Sequence, residues 1–453
     1  MTLHPRSALL LASATLLVAC GGRSQLREIG ATSTGNGGSG PTTSSGGGYG
    51  GYGGNGGNGG NGGNGGTPIG CVIDGPPIEI GGTAGYFTSN PVLLAPGQSD
   101  LTTLVAGWTA NTGSPMTPTE LRHSSFQAWG PWPANGTIGP SYLIDYDGGA
   151  HFEAAPATSG FSVFFALPPQ SLGLLFEAPF SPGSGDIGIG QGYFFTGSPQ
   201  PLFVAQGEAP GFHLLGMSNA GAAVHEMYLD RVSDKPGIGG ISTTLACALD
   251  PIVAGAARSG ADFLVAFSSG SLFVDPACGS GAGITSAFNL QIARVDENGN
   301  ITAASVIGGG DEHGPITSVK MVPRSDGAWI AWTHQLGPQL HIARLDPKGQ
   351  IATGPVEIPF FGDAASLSAT SRGDRLALAS ARSAADASPL IRIEIISSAG
   401  SVETDVSIPL GPPPIGRTAL LASPSGQDLL VSWTQEDPSG PQLRLARLAC
   451  SLP

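Results

Sequence analysis

The chain has 453 residues, of which 40% are hydrophobic and 11% charged, and its formal net charge is −14. The charged fraction is far below the roughly 25% of a typical soluble domain. With 72 Gly and 38 Pro, this composition favours many short strands joined by tight turns over helices. The acidic balance and the lack of a Lys/Arg run argue against a nucleic-acid partner, which would need a basic patch.

The N-terminus has the features of a targeting signal. An apolar run from Ala8 to Ala19 follows a single Arg and is shorter than the ~20 residues that span a bilayer, so residues 1–19 are predicted to be a signal peptide. The segment Leu17-Val18-Ala19-Cys20 resembles the lipobox of bacterial lipoproteins. The resemblance implies cleavage before Cys20, acylation of that residue with chains such as palmitate, and anchoring in a membrane. The alternative is an ordinary signal peptide with a chance cysteine.

The residue after Cys20 is Gly21 rather than Asp. In enteric lipoproteins an Asp at that position marks retention in the inner membrane, so the resemblance implies the outer membrane. Whether the protein would be periplasmic or surface-exposed stays open. The predicted location is therefore the cell envelope.

Residues 20–69 are predicted to be a flexible tether. Asn-Gly-Gly repeats four times between Asn55 and Gly66, and such a segment cannot bury enough apolar surface to offset the entropy of ordering. A Gly-rich coil of this length reaches roughly 35–45 Å. The folded domain is predicted to occupy residues 70–453.

Internal repeats organise that domain. Similar segments of alternating apolar residues, each followed by a turn, begin at Leu290, Leu340, Ile391 and Leu443. The first three continue through a Gly-containing turn into a further apolar segment. This pattern predicts a strand, a tight turn and another strand in each repeat. A helix considered for residues 220–234 is better interpreted as the corresponding strand, because "VHEMYLD" aligns with "LHIARLD".

A second apolar segment precedes each of these strands. It occurs seven times, near Trp108, Phe164, Leu215, Phe267, Trp332, Ala379 and Trp433. Units of this length with several strands each resemble the repeats of β-propeller proteins. The resemblance implies an all-β fold of seven four-stranded blades, within a range of six to eight.

The N-terminal segment Gly70 to Ile80 resembles Gly349 to Pro359, the fourth strand of an earlier unit, apart from one extra Pro. The last unit stops at Pro453, before its own fourth strand. We therefore predict that the N-terminal strand pairs in the last blade and closes the ring, which also removes exposed sheet edges.

The cysteines agree with that closure. The repeat alignment places Cys71 and Cys450 at the two ends of a four-residue turn, less than ~7 Å apart, a separation that suits a disulfide. Pairing them leaves Cys247 with Cys278, and an extracytoplasmic compartment permits both bonds. The closure disulfide is predicted to stabilise the fold by ~4–5 kcal/mol on the loop-entropy model.

No strong catalytic motif is present, and we predict no cofactor and no metal. The stretch "DENGN", Asp296 to Asn300, resembles part of a calcium loop, but no distal Glu completes it and it coincides with the turn of the repeat. Arg294, Arg344 and Arg447 recur in register, which favours a structural role because they mark the repeat and not one site.

One cluster is a candidate for binding. Asp311, Glu312 and His313 fall in a connector between two units, and His334 follows the second strand of the next unit. In a propeller these connectors share a face with the loops between second and third strands, so the four side chains form a candidate ligand or metal site. The alternative is ordinary solvated surface.

Two functions fit the sequence. The first is a non-catalytic binding or scaffold protein of the cell envelope, whose partner is an envelope protein or glycan. The second is an envelope enzyme, a hydrolase or lyase acting on polysaccharide through acidic and His residues of the connector face. The lack of a catalytic motif favours the first, and two carboxylates within ~5–10 Å of each other would favour the second.

Overall fold

In the computed structural model the chain divides into two units, residues 1–64 and 65–453, and the description covers only parts of the second. It covers residues 70–80, 93–96, 103–111, 119–131, 137–138, 142–145, 152–157, 160–166, 173–180, 191–195, 200–206, 211–219, 225–233, 242–248, 252–269, 289–296, 298, 300–308, 313–360, 362–382, 388–411, 414–435 and 442–451. The predicted signal peptide, the tether, Cys20, Cys278, Asp311 and Glu312 lie outside these residues.

Apart from one 3-10 turn at Ala364–Ser366, every element of the described residues is a β-strand. The N-terminal strands are β1 (Cys71–Ile73) and β2 (Ile78–Ile80). The next sheet contains β3 (Leu93–Pro96), β4 (Thr103–Asn111), β5 (Thr119–Gln127) and β7 (Tyr142–Asp145). The sheet after it contains β8 (Phe152–Ala157), β9 (Gly160–Ala166), β10 (Gly173–Phe180) and β11 (Gln191–Phe195). The short strand β6 (Thr137–Ile138) belongs to neither and pairs with β2.

Two further four-stranded sheets follow. The first contains β12 (Gln200–Gln206), β13 (Gly211–Asn219), β14 (His225–Ser233) and β15 (Ser242–Ala248). The second contains β16 (Ile252–Ser259), β17 (Asp262–Ser269), β18 (Asn289–Val295) and β19 (Ile301–Gly308).

The last three sheets carry the site. One contains β20 (Ile316–Arg324), β21 (Gly327–His334), β22 (Gln339–Leu345) and β23 (Ile351–Pro359). The next contains β24 (Ser368–Arg372), β25 (Arg375–Arg382), β26 (Leu390–Ile396) and β27 (Val402–Pro409). The final sheet contains β28 (Pro414–Ala422), β29 (Asp428–Gln435) and β30 (Gln442–Cys450), joined by β1, β2 and β6.

Successive strands within each four-stranded sheet pair antiparallel. Sequential antiparallel strands in repeated four-stranded sheets fit a propeller-like, all-β fold, which confirms the predicted fold class at that level. Each of the seven predicted apolar segments lies in the second strand of a sheet, namely in β4, β9, β13, β17, β21, β25 and β29. Within the described residues no helix is long and apolar enough to cross a membrane.

The N-terminal segment forms two short strands instead of the single strand that the sequence predicts. Both pair antiparallel with β30, Cys71 opposite Cys450 and Ile78 opposite Leu445. The break lies at Gly75, whose φ of +82° suits glycine, and at the two prolines that follow it, which have no N–H to donate to the ladder. The extra Pro noted in the sequence therefore interrupts the strand.

Two side-chain contacts hold this segment to the last sheet. A disulfide joins Cys71 and Cys450, whose Cα atoms are 4.0 Å apart, as predicted. Nε of Arg447 also donates to Oδ2 of Asp74 at 2.7 Å. The corresponding repeat residues Arg294 and Arg344 instead bind aspartates at or just before the beginning of the second strand of their own sheets. This arrangement agrees with the predicted structural role of the three arginines.

The core lies between successive sheets. Leu264, Ile292, Ile330 and Trp332 pack between the sheets β16–β19 and β20–β23, and the last two sheets enclose a cluster that includes both disulfide cysteines. Burying one large apolar side chain contributes ~1.5–3 kcal/mol, so these layers provide the main attraction between sheets.

Each sheet has two distinct ends. The turn between third and fourth strands is capped by its own polar side chain, as when Asp346 Oδ1 accepts from the backbone N–H groups of Lys348 and Gln350, both at 2.8 Å. Asp296 caps the matching "DENGN" turn in the same way, which confirms that this stretch is a turn. We call this the turn end. The opposite end, where the first and third strands begin and the second and fourth finish, is the connector end.

Candidate functional site

The connector end of the sheet β20–β23 brings the two described candidate histidines together. His313 lies just before β20, and His334 is the last residue of β21, opposite Ile316 at the beginning of β20. Their ring centroids are 5.6 Å apart. The structure therefore places these two side chains close together, as the sequence predicts.

His334 is an interior residue, with 5% of its surface exposed. The indole N–H of Trp332 donates to its Nε2 at 3.2 Å, and its Nδ1 lies 2.8 Å from the carbonyl oxygen of Gly314. Because Nε2 accepts, Nδ1 carries the proton and donates. Burial lowers the pKa of His334 below 6.5. Both ring nitrogens of His334 therefore already have hydrogen-bond partners, and the residue forms part of the buried base of the site.

A third histidine completes the group. The His341 ring lies 4.9 Å from that of His334 and 5.5 Å from that of His313, and it stacks on Trp332 at 5.3 Å with an interplanar angle of 14°. Burial lowers its pKa to about 4. Its Nδ1 is 3.7 Å from Oε1 of Glu357, and its buried Nε2 has no hydrogen-bond partner. We call His313, His334, His341 and Trp332 the histidine cluster.

The histidine cluster is not arranged as a metal centre. In the part of the chain that the structure describes, no group of three or more His, Cys, Asp or Glu side chains could hold a metal ion. His334 and His341, whose pKa values are lowered, are neutral at pH 7. These two rings therefore pack as uncharged aromatic rings.

The neighbouring sheet carries a pocket at the same end. Strands β25, β26 and β27 place Ser380, Arg392 and Ser407 opposite one another in one row. The residues that line this pocket are Gly362, Ser380, Arg382, Leu390, Arg392, Asp405 and Ser407. We call it the arginine pocket.

The arginine pocket exists because one aromatic side chain of the repeat is missing. The position that holds Phe267, Trp332 and Trp433 in the other late sheets is occupied by Ser380 in β25. In the flanking sheets the indole N–H of each Trp donates to the last side chain of its strand, His334 at 3.2 Å and Gln435 at 3.3 Å. A serine fills less of that volume, part of which is taken by Gly362, where an added Cβ would lie 2.5 Å from the Cβ of Ser380.

Arg382 stands where those acceptors stand. Its Nη2 donates to the carbonyl oxygen of Ser388 at 3.0 Å, while its Nε is buried without a hydrogen-bond partner. A buried donor left without a partner costs about 1–3 kcal/mol. Among the described residues no carboxylate forms an ion pair with Arg382, so it is the uncompensated cation of the pocket.

Arg392 is neutralised, in contrast. Its Nε and Nη2 donate to the two carboxylate oxygens of Asp405 at 3.0 and 2.8 Å, and Nη2 lies 3.0 Å from Oε1 of Glu394. Burial raises the pKa of Glu394 to about 6. Since Glu394 is only 4% exposed, it supports Arg392 from below, whereas the half-exposed Asp405 faces the pocket.

Sequence reasoning missed His341, Arg392 and Arg382, although the repeat contains the signal. His341 and Arg392 align with Gln291 and Arg444 at the third position of the third strand, where strand alternation inside a buried sheet would otherwise place apolar side chains. A position that is polar in every late repeat indicates one common environment, here the connector end. Cys247 lies in β15 opposite Glu226, and its predicted bond to Cys278 stays a prediction.

Comparison with known protein families finds none that matches this chain, and no curated protein matches it. Among solved structures, a protein of unknown function from Dyadobacter fermentans is similar at 10% identity and a TM-score of 0.44, covering 85% of this chain and 100% of that one. An oligogalacturonate lyase in complex with manganese is similar at 12% identity and a TM-score of 0.42, covering 85% and 97% of the two chains.

Proposed function

We propose that the protein is a lipid-anchored β-propeller of the bacterial cell envelope that binds an envelope glycan or protein on its connector end. The proposed architecture is a ring of seven blades closed by the N-terminal strands. Its support is that the first strand of each sheet contacts the next in order, β3, β8, β12, β16, β20, β24 and β28, and that β28 contacts β3. The pairing of β1 and β2 with β30 supports the closure.

The anchor rests on the lipobox-like segment that ends at Cys20. We expect Cys20→Ala to move the protein from the membrane fraction to the soluble fraction, because the variant has no thiol to acylate and several acyl chains are needed for stable binding. Fractionation under high salt measures the shift, with Cys247→Ala as the matched control. A variant that stays in the membrane pellet would contradict the anchor.

The observation that carries the binding role is the arginine pocket. It presents an uncompensated guanidinium, two serine hydroxyls and one carboxylate beside an apolar Leu390, a few convergent polar groups of the kind that orient a ligand. Within the described residues Asp405 is the one carboxylate that lines it. Glu394, the nearby second carboxyl, is buried and held by Arg392, so binding fits this pocket better than hydrolysis by paired carboxylates.

The test compares the two ends of the sheets. We expect two variants, Ser407→Arg, which fills the pocket, and His313→Ala, to reduce retention of the protein on purified envelope polysaccharide and on envelope protein. The expected reduction is about tenfold, which corresponds to a loss of about 1.4 kcal/mol in binding free energy. Matched controls at the turn end are Lys348→Ala and Asn298→Ala. Equal losses from both ends, or a loss from the turn end alone, would overturn the proposal.

A further inference from the structure

The arginine pocket occupies the place of an indole ring. In the sheet β20–β23 the indole of Trp332, on the second strand, stacks on His341 of the third strand and packs in the core towards the preceding sheet. The aligned residues of the next sheet are Ser380 and Arg392, which stand opposite each other in the ladder. A ring-shaped ligand of about that size therefore has a slot with Arg392 on one side.

The charges of the slot select an anion. Arg392 is already compensated by Asp405 and Glu394, whereas no carboxylate of the described residues forms an ion pair with Arg382. A guanidinium offers its donors in a planar fork that matches the two oxygens of a carboxylate. The ligand group that best satisfies Arg382 is therefore a carboxylate at one edge of the ring.

The remaining lining selects hydroxyl groups on that ring. Ser380 and Ser407 each offer a hydroxyl, which can donate or accept. The side chain of Asp405 is 43% exposed and accepts hydrogen bonds only. An aromatic acid would bring no donors to Asp405, while a sugar ring brings hydroxyl donors and presents its C–H face to Leu390.

We propose that the arginine pocket binds a uronic acid residue, the carboxylated sugar of an acidic glycan, with Arg382 on its carboxylate and Asp405, Ser380 and Ser407 on its hydroxyls. This inference rests on the proposed binding function and names the class of ligand.

The test is titration calorimetry of the full chain in detergent micelles with three probes, D-glucuronate, D-glucose and benzoate. We expect glucuronate to bind about tenfold or more tightly than either of the others, because a charge-assisted hydrogen bond to Arg382 contributes about tenfold in affinity. Arg382→Gln should weaken glucuronate binding by about the same factor and leave glucose unchanged. Arg375→Gln, at the other end of the same strand, is the matched control and should leave glucuronate binding intact.

A second variant tests the slot itself. Ser380→Trp restores the aromatic residue of the flanking sheets and should abolish glucuronate binding in a protein that still melts cooperatively; if this variant unfolds, Arg382→Gln decides alone. Glucuronate binding no tighter than glucose or benzoate, or unaffected by Arg382→Gln, would overturn the inference. If that happens while polysaccharide retention still depends on Ser407 and His313, the uronic acid assignment fails and the binding function survives.

Discussion

Replacing both closure cysteines, Cys71→Ala with Cys450→Ala, should lower the free energy of unfolding by about 4–5 kcal/mol. The bond links residues 379 positions apart, so its loss gives the unfolded chain a very large increase in conformational freedom. Denaturant unfolding followed by tryptophan fluorescence measures the change, because Trp433 packs in the same core cluster as both cysteines.

Two comparisons make this result specific. Val72→Ala changes an exposed residue between the same paired strands and should leave the unfolding midpoint nearly unchanged. The unsubstituted protein in a reducing agent should be destabilised at least as much as the double variant, because reduction would also break the predicted Cys247–Cys278 bond. A double variant as stable as the oxidised parent would show that the N-terminal strands stay paired without the bond, and that the last sheet does not need it.

The histidine cluster should make the domain sensitive to acid. The pKa of His341 falls from 6.5 to about 4 on folding because the ring is buried. Its contribution is fully present above pH 6.5 and is lost as the pH falls through about 4, since the unfolded state binds the proton first. A difference of this size corresponds to about 3 kcal/mol. His334, whose pKa is also lowered by burial, acts in the same direction.

The measurement is the free energy of unfolding between pH 7 and pH 4 for the parent and for His341→Phe, which keeps a ring against Trp332 and cannot titrate. We expect the variant to have a distinctly flatter profile. Glu394 supplies a control of opposite sign. Its raised pKa, about 6, gives stability that is present below pH 4.5 and lost as the pH rises through about 6, so Glu394→Gln should steepen the acid-induced loss. Parallel profiles for the parent and His341→Phe would refute the role of His341.

The strands could be predicted from the sequence because alternation and repeat spacing are local properties of the chain. The segment near Trp332 and its six counterparts each lie in a second strand, and the Cys71–Cys450 bond followed from aligning two repeats. The division of the N-terminal segment into β1 and β2 was not predicted. It depends on a Gly-Pro-Pro break whose effect on pairing becomes visible only when β30 runs continuously beside it.

The site could be predicted only in part. The location of His313 and His334 at one end of a sheet followed from topology, but the burial of His334 depends on the indole of Trp332 and the carbonyl of Gly314. The arginine pocket depends on what Ser380 lacks. The alternating pattern of the sequence identifies Ser380 only as a strand residue. That it replaces an aromatic ring becomes clear only when its sheet is compared with the two flanking sheets, which have Trp332 and Trp433 at this position.

The pairing of β1 and β2 with β30 also fixes the order in which this domain can complete its folding. The final sheet draws on residues near 70 and near 450, and contacts between such distant residues form slowly because a very large loop must close first. Until that happens, the free edge of β30 and the N-terminal strands both lack a pairing partner. Newly made chains therefore pass through a state with an open strand edge, and a mutation in β30 is expected to reduce the yield of folded protein by aggregation.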